Sequence, residues 1–145
     1  MKPNLTIFFP VFNDEKTVRT MNEKAIKVCE DIANQYEIII INDCSPDRSG
    51  EICNKLAAEH KQVKVIHHTK QLGYGAALKS GFKAATFEWI CLTDGDDEYD
   101  INDIRRLIKL KDYYDLVITF RYKKIYSNTR IFISFFYNML LRWLY

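Results

Sequence analysis

The sequence predicts an α/β domain with a mainly parallel sheet and flanking helices. Three observations carry that expectation. Short apolar runs of strand length alternate with segments of helical period, one of those runs is a continuous block of isoleucine, and the most polar segments fall in the loops after the strands.

Residues 5–9 (Leu-Thr-Ile-Phe-Phe) read as a first strand. After a polar start at Asn13-Asp14-Glu15, residues Val18, Met21, Ala25, Val28, Cys29 and Ile32 fall on one helical face. Glu37 leads into Ile38-Ile39-Ile40-Ile41, the pattern of a strand covered on both faces. Ser45 as N-cap and Pro46 at the first helical position predict a second helix, with Ile52, Leu56 and Ala57 turned inward. Residues 63–66 and 89–92 are the third and fourth strands, separated by a helix over 75–85. Asp100 and Asp103 suit the first turn of a further helix bearing Ile101, Ile104, Leu107 and Ile108, and residues 116–120 predict a fifth strand. Ligands on such sheets bind beyond the carboxyl ends of the strands. Residues 10–14, 42–45 and 94–98 are therefore expected on one rim.

A chain of 145 residues is one domain, and at 48% hydrophobic and 28% charged it is neither disordered nor of low complexity. Its length lets it bury a core without disulfide or metal. Lys plus Arg number 21 against 19 Asp plus Glu, a balance that gives no ground for a nucleic-acid partner. The distribution is uneven. Residues 1–100 carry 12 basic and 16 acidic side chains, residues 101–145 carry 9 and 3, and Asp115 is the last acid. Cys29, Cys44, Cys53 and Cys91 form no CxxC pair, and the N-terminal apolar stretch is too short for a secretory signal, so reduced thiols in a cytosolic protein are expected. Cys44, Cys53, His60 and His67 could together hold a metal, but their spacing matches no zinc motif and such residues are usually buried or surface bystanders.

Residues 130–145 differ from the rest. Arg130, Ser134, Asn138 and Arg142 recur every four positions, a narrow polar stripe on a helix otherwise made of Ile, Phe, Leu, Met, Trp and Tyr. The stretch is short of the roughly 20 residues of a membrane span. It fits either a membrane interface or a face packed against other protein. The chain stops at Trp143-Leu144-Tyr145 without a cap, as if cut inside an element.

The densest chemical signal is Asp94-Gly95-Asp96-Asp97-Glu98 after the fourth strand. Alternate residues of an extended segment face the same way, so Asp94, Asp96 and Glu98 can converge on one point. Such hard oxygen donors suit Mg²⁺ or Mn²⁺, which in turn bridge to phosphate oxygens. The other reading is a solvated acidic turn ahead of a helix. An EF-hand is excluded, because Tyr99 replaces the required Gly and Arg105 the bidentate Glu. Gly73, Gly75 and Gly81 frame residues 72–81, where glycines either open backbone N–H groups to an anion or let a helix pack closely on the sheet. Asn42-Asp43-Cys44-Ser45 either meets a base or ribose or caps the helix at Ser45.

Taken in order, Phe9-Pro10-Val11-Phe12-Asn13-Asp14, Asn42-Asp43-Cys44-Ser45-Pro46-Asp47, the Leu72 to Gly81 stretch and Asp94-Gly95-Asp96-Asp97-Glu98 resemble the inverting family 2 glycosyltransferases of GT-A fold, especially the dolichol- or polyprenyl-phosphate sugar synthases. The resemblance covers about residues 4–125. It implies a Rossmann-like nucleotide-diphospho-sugar transferase fold over 1–125, with 126–145 an apolar, aromatic and basic helix that is interfacial or begins an acceptor region. It implies that Pro10, Phe12 and Asp14 line a nucleoside pocket, that Asp43 meets the base or ribose, and that Lys79 belongs to the donor site. Asp94 and Asp96 become the DxD pair, with Glu98 a third metal ligand where polyprenyl-phosphate enzymes often carry Gln. Arg121 resembles the Arg of a G-x-R motif that meets donor phosphate, with Thr119 in the place of its Gly. Asn42 stands for a more usual acidic residue and Gln71 for a usual Asn.

The activity so implied is transfer of a sugar from a GDP- or UDP-sugar, with Mg²⁺ or Mn²⁺, to a polyprenyl phosphate or other lipid-linked acceptor. The place implied is cytoplasmic, peripheral on the cytoplasmic face of a membrane. A phosphate acceptor is already anionic, whereas a hydroxyl acceptor needs a general base, and no residue presents itself as that base. An alternative is a truncated, non-catalytic remnant that binds nucleotide or acts as an interaction module. A phosphoaspartate receiver wants an acidic pair after the first strand, and Phe9-Pro10-Val11 offers none.

Overall fold

The computed structural model describes residues 2–94, 100–119 and 128–144. They form two compact units, Met1–Tyr114 and Asp115–Tyr145. The first unit holds a four-stranded parallel sheet in the order β3-β2-β1-β4, built from β1 (Asn4–Val11), β2 (Gln35–Asn42), β3 (Val63–His67) and β4 (Trp89–Leu92). Helices α1 (Val18–Ile32), α2 (Ser49–Glu59) and α3 (Tyr74–Ala84) connect them.

Strand periodicity decides which helix lies where. Leu5, Ile7, Phe9 and Val11 of β1 join Ile38 and Ile40 of β2 in one apolar cluster with Val18, Met21, Ala25, Val28 and Cys29 of α1 and Cys53 and Leu56 of α2. The alternate residues Phe8, Ile39 and Ile41 point the other way and meet Ala77 of α3. The isoleucine block is thus covered on both faces, as its continuity predicts. The order of strands reverses beside β1, which pairs with β2 on one side and β4 on the other. Such a switch point opens a crevice at the carboxyl ends.

Two features fix the layers. Gly81 on α3 lies against β1, and a Cβ built there would stand 2.2 Å from Cδ2 of Phe8. Close helix–sheet packing therefore accounts for this glycine. At the opposite end of the sheet, the buried Glu37 carboxylate accepts hydrogen bonds from Thr6 Oγ1 at 2.8 Å, Thr86 N at 2.7 Å, Thr86 Oγ1 at 2.8 Å and Lys64 Nζ at 2.6 Å. One side chain thereby ties β1, β3 and the α3–β4 loop to β2. Asn22, fully buried on α1, has no hydrogen-bond partner among the described residues for either side-chain polar atom.

Three expectations are corrected. The second helix begins at Ser49, not at Pro46 behind a Ser45 cap. Ser45 Oγ is taken up in tying loops together, and Ser49 N instead finds a partner in Asp47 Oδ1 at 3.0 Å. The helix expected after Asp100 is a short α4 (Ile104–Leu107) between 3₁₀ turns Ile101–Asp103 and Ile108–Leu110. Asp100 caps the first of these turns, accepting from Asn102 N at 3.0 Å, and Ile101 and Ile104 are buried, while Leu107 and Ile108 stay half exposed. Residues 116–119 form no strand, and Phe120 lies outside the described residues. An apolar β-branched run shows propensity, but only a ladder makes it a strand. In the second unit, α5 (Asn128–Leu144) is the expected helix, with Phe132 and Phe136 ring centroids 4.8 Å apart. Among the described residues no helix is long and apolar enough to cross a membrane.

Candidate functional site

Backbone pairing continues past the ends of the strands and carries polar residues to one rim. Asp43 N donates to Val11 O at 3.0 Å, His68 N to Asn42 O at 2.9 Å and Thr93 N to Phe8 O at 3.2 Å. The β1–α1 and β2–α2 loops are then locked side by side. Asn13 N donates to Ser45 Oγ at 3.3 Å, Asp14 N to Ser49 Oγ at 2.9 Å, Glu15 N to Asp47 Oδ2 at 3.1 Å, and Arg48 N returns to Glu15 Oε2 at 3.3 Å. Asn13 (φ 61°) and Cys44 (φ 58°) adopt left-handed backbone, which Asn tolerates well and Cys less so. Cys44 directly follows the residue on which the rim turns.

That residue is Asp43, whose side chain is 6% exposed. Its carboxylate accepts from His68 Nδ1 at 2.6 Å and Leu72 N at 2.9 Å on Oδ1, and from Gly73 N at 2.7 Å on Oδ2. Burial alone would raise its pKa, but these three donors outweigh it and hold the carboxyl below its ordinary value. Gly73 (φ 88°) then turns the chain into α3, its carbonyl accepting from Ala76 N and Ala77 N.

A cleft of about 330 Å³ opens at this rim. Pro10, Val11, Phe12 and Asp14 line it from the end of β1, Asp43 from β2, Gln71, Gly73, Tyr74 and Ala77 from the start of α3, and Asp94 from β4. Phe12 N donates to Asp14 Oδ2 at 2.9 Å, and Tyr74 Oη donates to Asp94 Oδ1 at 3.0 Å. Among the described residues lining the cleft, three are carboxylates and none is basic.

Five residues singled out from the sequence, Pro10, Phe12, Asp14, Asp43 and Asp94, thus share one cavity. Lys79 lies on the exposed side of α3 and does not line it. Asp96, Glu98 and Arg121 lie outside the described residues. Of the other metal set considered, Cys53 is buried and its thiol pushed up to about 12, and the His67 ring pairs with Asn42 Nδ2 at 2.9 Å and Asn54 Oδ1 at 2.8 Å. Sequence reading missed Tyr74, His68 and Ser80. His68 and Ser80 stand in different elements, and only the fold brings them together at 2.9 Å.

The profile of Glycosyl transferase family 2 matches residues 6–143. The chain belongs to this family. Within glycosyl transferase family 2, it is 28% identical over 141 residues to undecaprenyl-phosphate 4-deoxy-4-formamido-L-arabinose transferase of Pectobacterium carotovorum, covering 96% of this chain and 43% of that protein. It is 29% identical over 121 residues to dolichol-phosphate mannosyltransferase of Pyrococcus furiosus, covering 83% and 34%. The chain therefore spans less than half the length of these curated relatives. Among solved structures, it superposes on a Pyrobaculum calidifontis mannosyltransferase in complex with GDP-Man and Mn²⁺ with a TM-score of 0.65, at 20% identity over 78% of this chain and 34% of that one. S. aureus TarS residues 1–349 in complex with UDP-GlcNAc gives 0.61, at 21% identity over 75% and 31%. These likenesses show the fold, which is that of the GT-A glycosyltransferases.

Proposed function

We propose that the chain is the donor-binding part, residues 1–125, of a glycosyltransferase that moves a sugar from a nucleoside-diphosphate donor to a polyprenyl phosphate or other membrane-linked acceptor. The observation that carries this is the convergence of Pro10, Phe12, Asp14, Asp43 and Asp94 on one cleft beyond the carboxyl ends of β1, β2 and β4. In this reading Pro10, Phe12 and Asp14 flank the nucleoside and Asp43 accepts from its base or ribose. Arg121 is a proposed contact to the donor at its phosphate, and Lys79, which does not line the cleft, would reach only a part of the donor that extends beyond it.

The charge of the cleft bears on the cofactor. A diphosphate entering beside three carboxylates with no base among the described lining residues meets repulsion. Hard oxygen donors of this kind fit Mg²⁺ or Mn²⁺, and Asp94, with Asp96 and Glu98 following it, is the proposed ligand set. The cation would offset charge gathering on the nucleoside diphosphate as the glycosidic bond breaks. Asp94 would keep its Oδ1 tied to Tyr74, which orients the carboxylate toward the cleft. In-line attack by the acceptor oxygen would invert the anomeric carbon.

The acceptor assignment draws support from relatives named for undecaprenyl and dolichol phosphate. Lys123, Lys124 and Arg130, with eight aromatic residues in 121–145, suit the anionic cytoplasmic face of a membrane. Calorimetry with UDP- and GDP-sugars tests the reading. Binding of one of them is expected only with Mn²⁺ present, and Asp94→Ala is expected to weaken it by about tenfold or more. Equal affinity with and without the metal would sink the cation assignment. Binding without any transfer to polyprenyl phosphate would favour the non-catalytic binding module instead.

A further inference from the structure

We infer that His68 and Ser80 form a positioning relay that sets the Asp43 carboxylate for the nucleoside. The inference rests on the donor-cleft reading above and goes beyond it by assigning work to two residues that do not line the cleft.

The geometry is that of a three-member chain. A carboxylate only accepts, so the 2.6 Å contact to Asp43 Oδ1 places the proton on His68 Nδ1. The other ring nitrogen then faces Ser80 Oγ at 2.9 Å, and a hydroxyl can serve it as donor or acceptor. The His68 side chain is 7% exposed and Asp43 6%, so this pairing is made largely out of water. Ser80 stands on α3, one residue before Gly81, whose contact with Phe8 fixes the height of the helix above the sheet. The relay therefore links a rigid helix to the rim.

Counting acceptor positions shows what the relay does to Asp43. A carboxylate has about four. Two on Oδ1 are filled by His68 Nδ1 and Leu72 N, and one on Oδ2 by Gly73 N. Among the described residues one position on Oδ2 is left, and Asp43 lines the cleft. With three donors holding it, the carboxylate can offer that single acceptor only in one orientation, which selects a nucleoside presenting an N–H or O–H there. Removing the His68 donor opens one position on Oδ1 and leaves the group held only by the amides of Leu72 on Oδ1 and Gly73 on Oδ2.

Asparagine and glutamine separate the two halves of the relay. The Asn amide nitrogen overlays His Nδ1 and keeps the bond to Asp43, whereas the Gln amide nitrogen reaches the place of Nε2 and keeps only Ser80. Both replacements are polar and leave Gly81 and the apolar clusters untouched. The experiment is calorimetric titration of the 145-residue chain with UDP and with GDP, each with Mn²⁺, for wild type, His68→Asn, His68→Gln and Ser80→Ala, with thermal melting recorded for each. His68→Asn is expected within about threefold of wild-type affinity, Ser80→Ala slightly below it, and His68→Gln weaker by about tenfold or more, since a charge-assisted hydrogen bond is lost. A purely structural role would lower the melting temperatures and leave the affinity of the folded protein alike in Asn and Gln. Equal affinities for these two, or a tighter His68→Gln, overturns the relay while leaving the donor cleft standing. No nucleotide binding by wild type overturns both, the cleft first.

Discussion

Gly81→Ala is expected to destabilise the protein by about 2 kcal/mol, although alanine is the better helix former. Two effects oppose each other. Helix propensity favours Ala over Gly by about 1 kcal/mol at an interior position. Against this, the new methyl would sit 2.2 Å from Cδ2, 2.3 Å from Cε2 and 2.7 Å from Cγ of Phe8. Phe8 is fully buried, and its ring is already set edge-on against Phe82 at 4.9 Å. It cannot swing aside, and overpacking of this kind costs roughly 1–3 kcal/mol or more. Overpacking wins. Thermal melting should fall by several degrees, about 10 °C at most. The cause is checked by a double-mutant cycle with Phe8→Leu, which vacates the space the methyl needs. The two changes together should cost less than their sum. Strict additivity would mean that the ring is not what excludes the methyl.

Glu37→Gln is expected to cost about 3 kcal/mol, and to remove a specific part of the acid sensitivity of the fold. Burial pushes the Glu37 carboxyl up, but hydrogen bonds from Lys64, Thr86 and Thr6 outweigh it and bring its pKa down to about 2. A group whose folded pKa is depressed contributes stability above its unfolded value of about 4.5 and loses it as pH falls toward the folded value. At about 1.4 kcal/mol per unit the contribution is about 3 kcal/mol, present at neutral pH and lost between about pH 4.5 and 2. The amide keeps the shape, but it turns an NH₂ toward a set of donors and leaves Lys64 without its counter-charge. Melting of wild type and variant across pH 7 to 2 checks this. The gap between them should be widest at pH 7 and close as Glu37 takes up its proton. Glu37 lies near the amino end of β2, whereas the cleft lies beyond Asn42 at its other end. Nucleotide affinity of the folded variant should therefore be unchanged.

These residues also show what is legible in a single sequence. The layers were readable because Ile38 to Ile41 alternate between two buried faces and the helical stripes supply matching apolar positions. The site was readable in outline because Pro10, Phe12, Asp14, Asp43 and Asp94 stand at strand ends, where parallel sheets leave a crevice. What was hidden depends on pairs. Ser45 has the chemistry of an N-cap, and nothing in the sequence says that its hydroxyl is claimed by Asn13 N and Val11 O. Gly81 fits a phosphate loop as well as a packing contact until Phe8 is seen beneath it. Glu37 reads as the polar edge of an apolar run, and its four donors come from residues 6, 64 and 86. Residues 116–119 have the composition of a strand but no ladder among the described residues. For Ser45, Gly81 and Glu37 the deciding partner is distant in the chain.

A sugar nucleotide and its divalent cation are expected to settle against the acidic rim of the cleft. Amide NMR of the chain with Mn²⁺ and a UDP- or GDP-sugar reads this directly, because the paramagnetic ion broadens the signals nearest to it. Phe12, Asp43, Gly73 and Asp94 should broaden first, and only when nucleotide and metal are both present. Broadening centred on other carboxylates such as Glu51 or Glu59 of α2, or the same pattern with metal alone and no effect of nucleotide, would mean that the donor and its cation do not bind together at this rim.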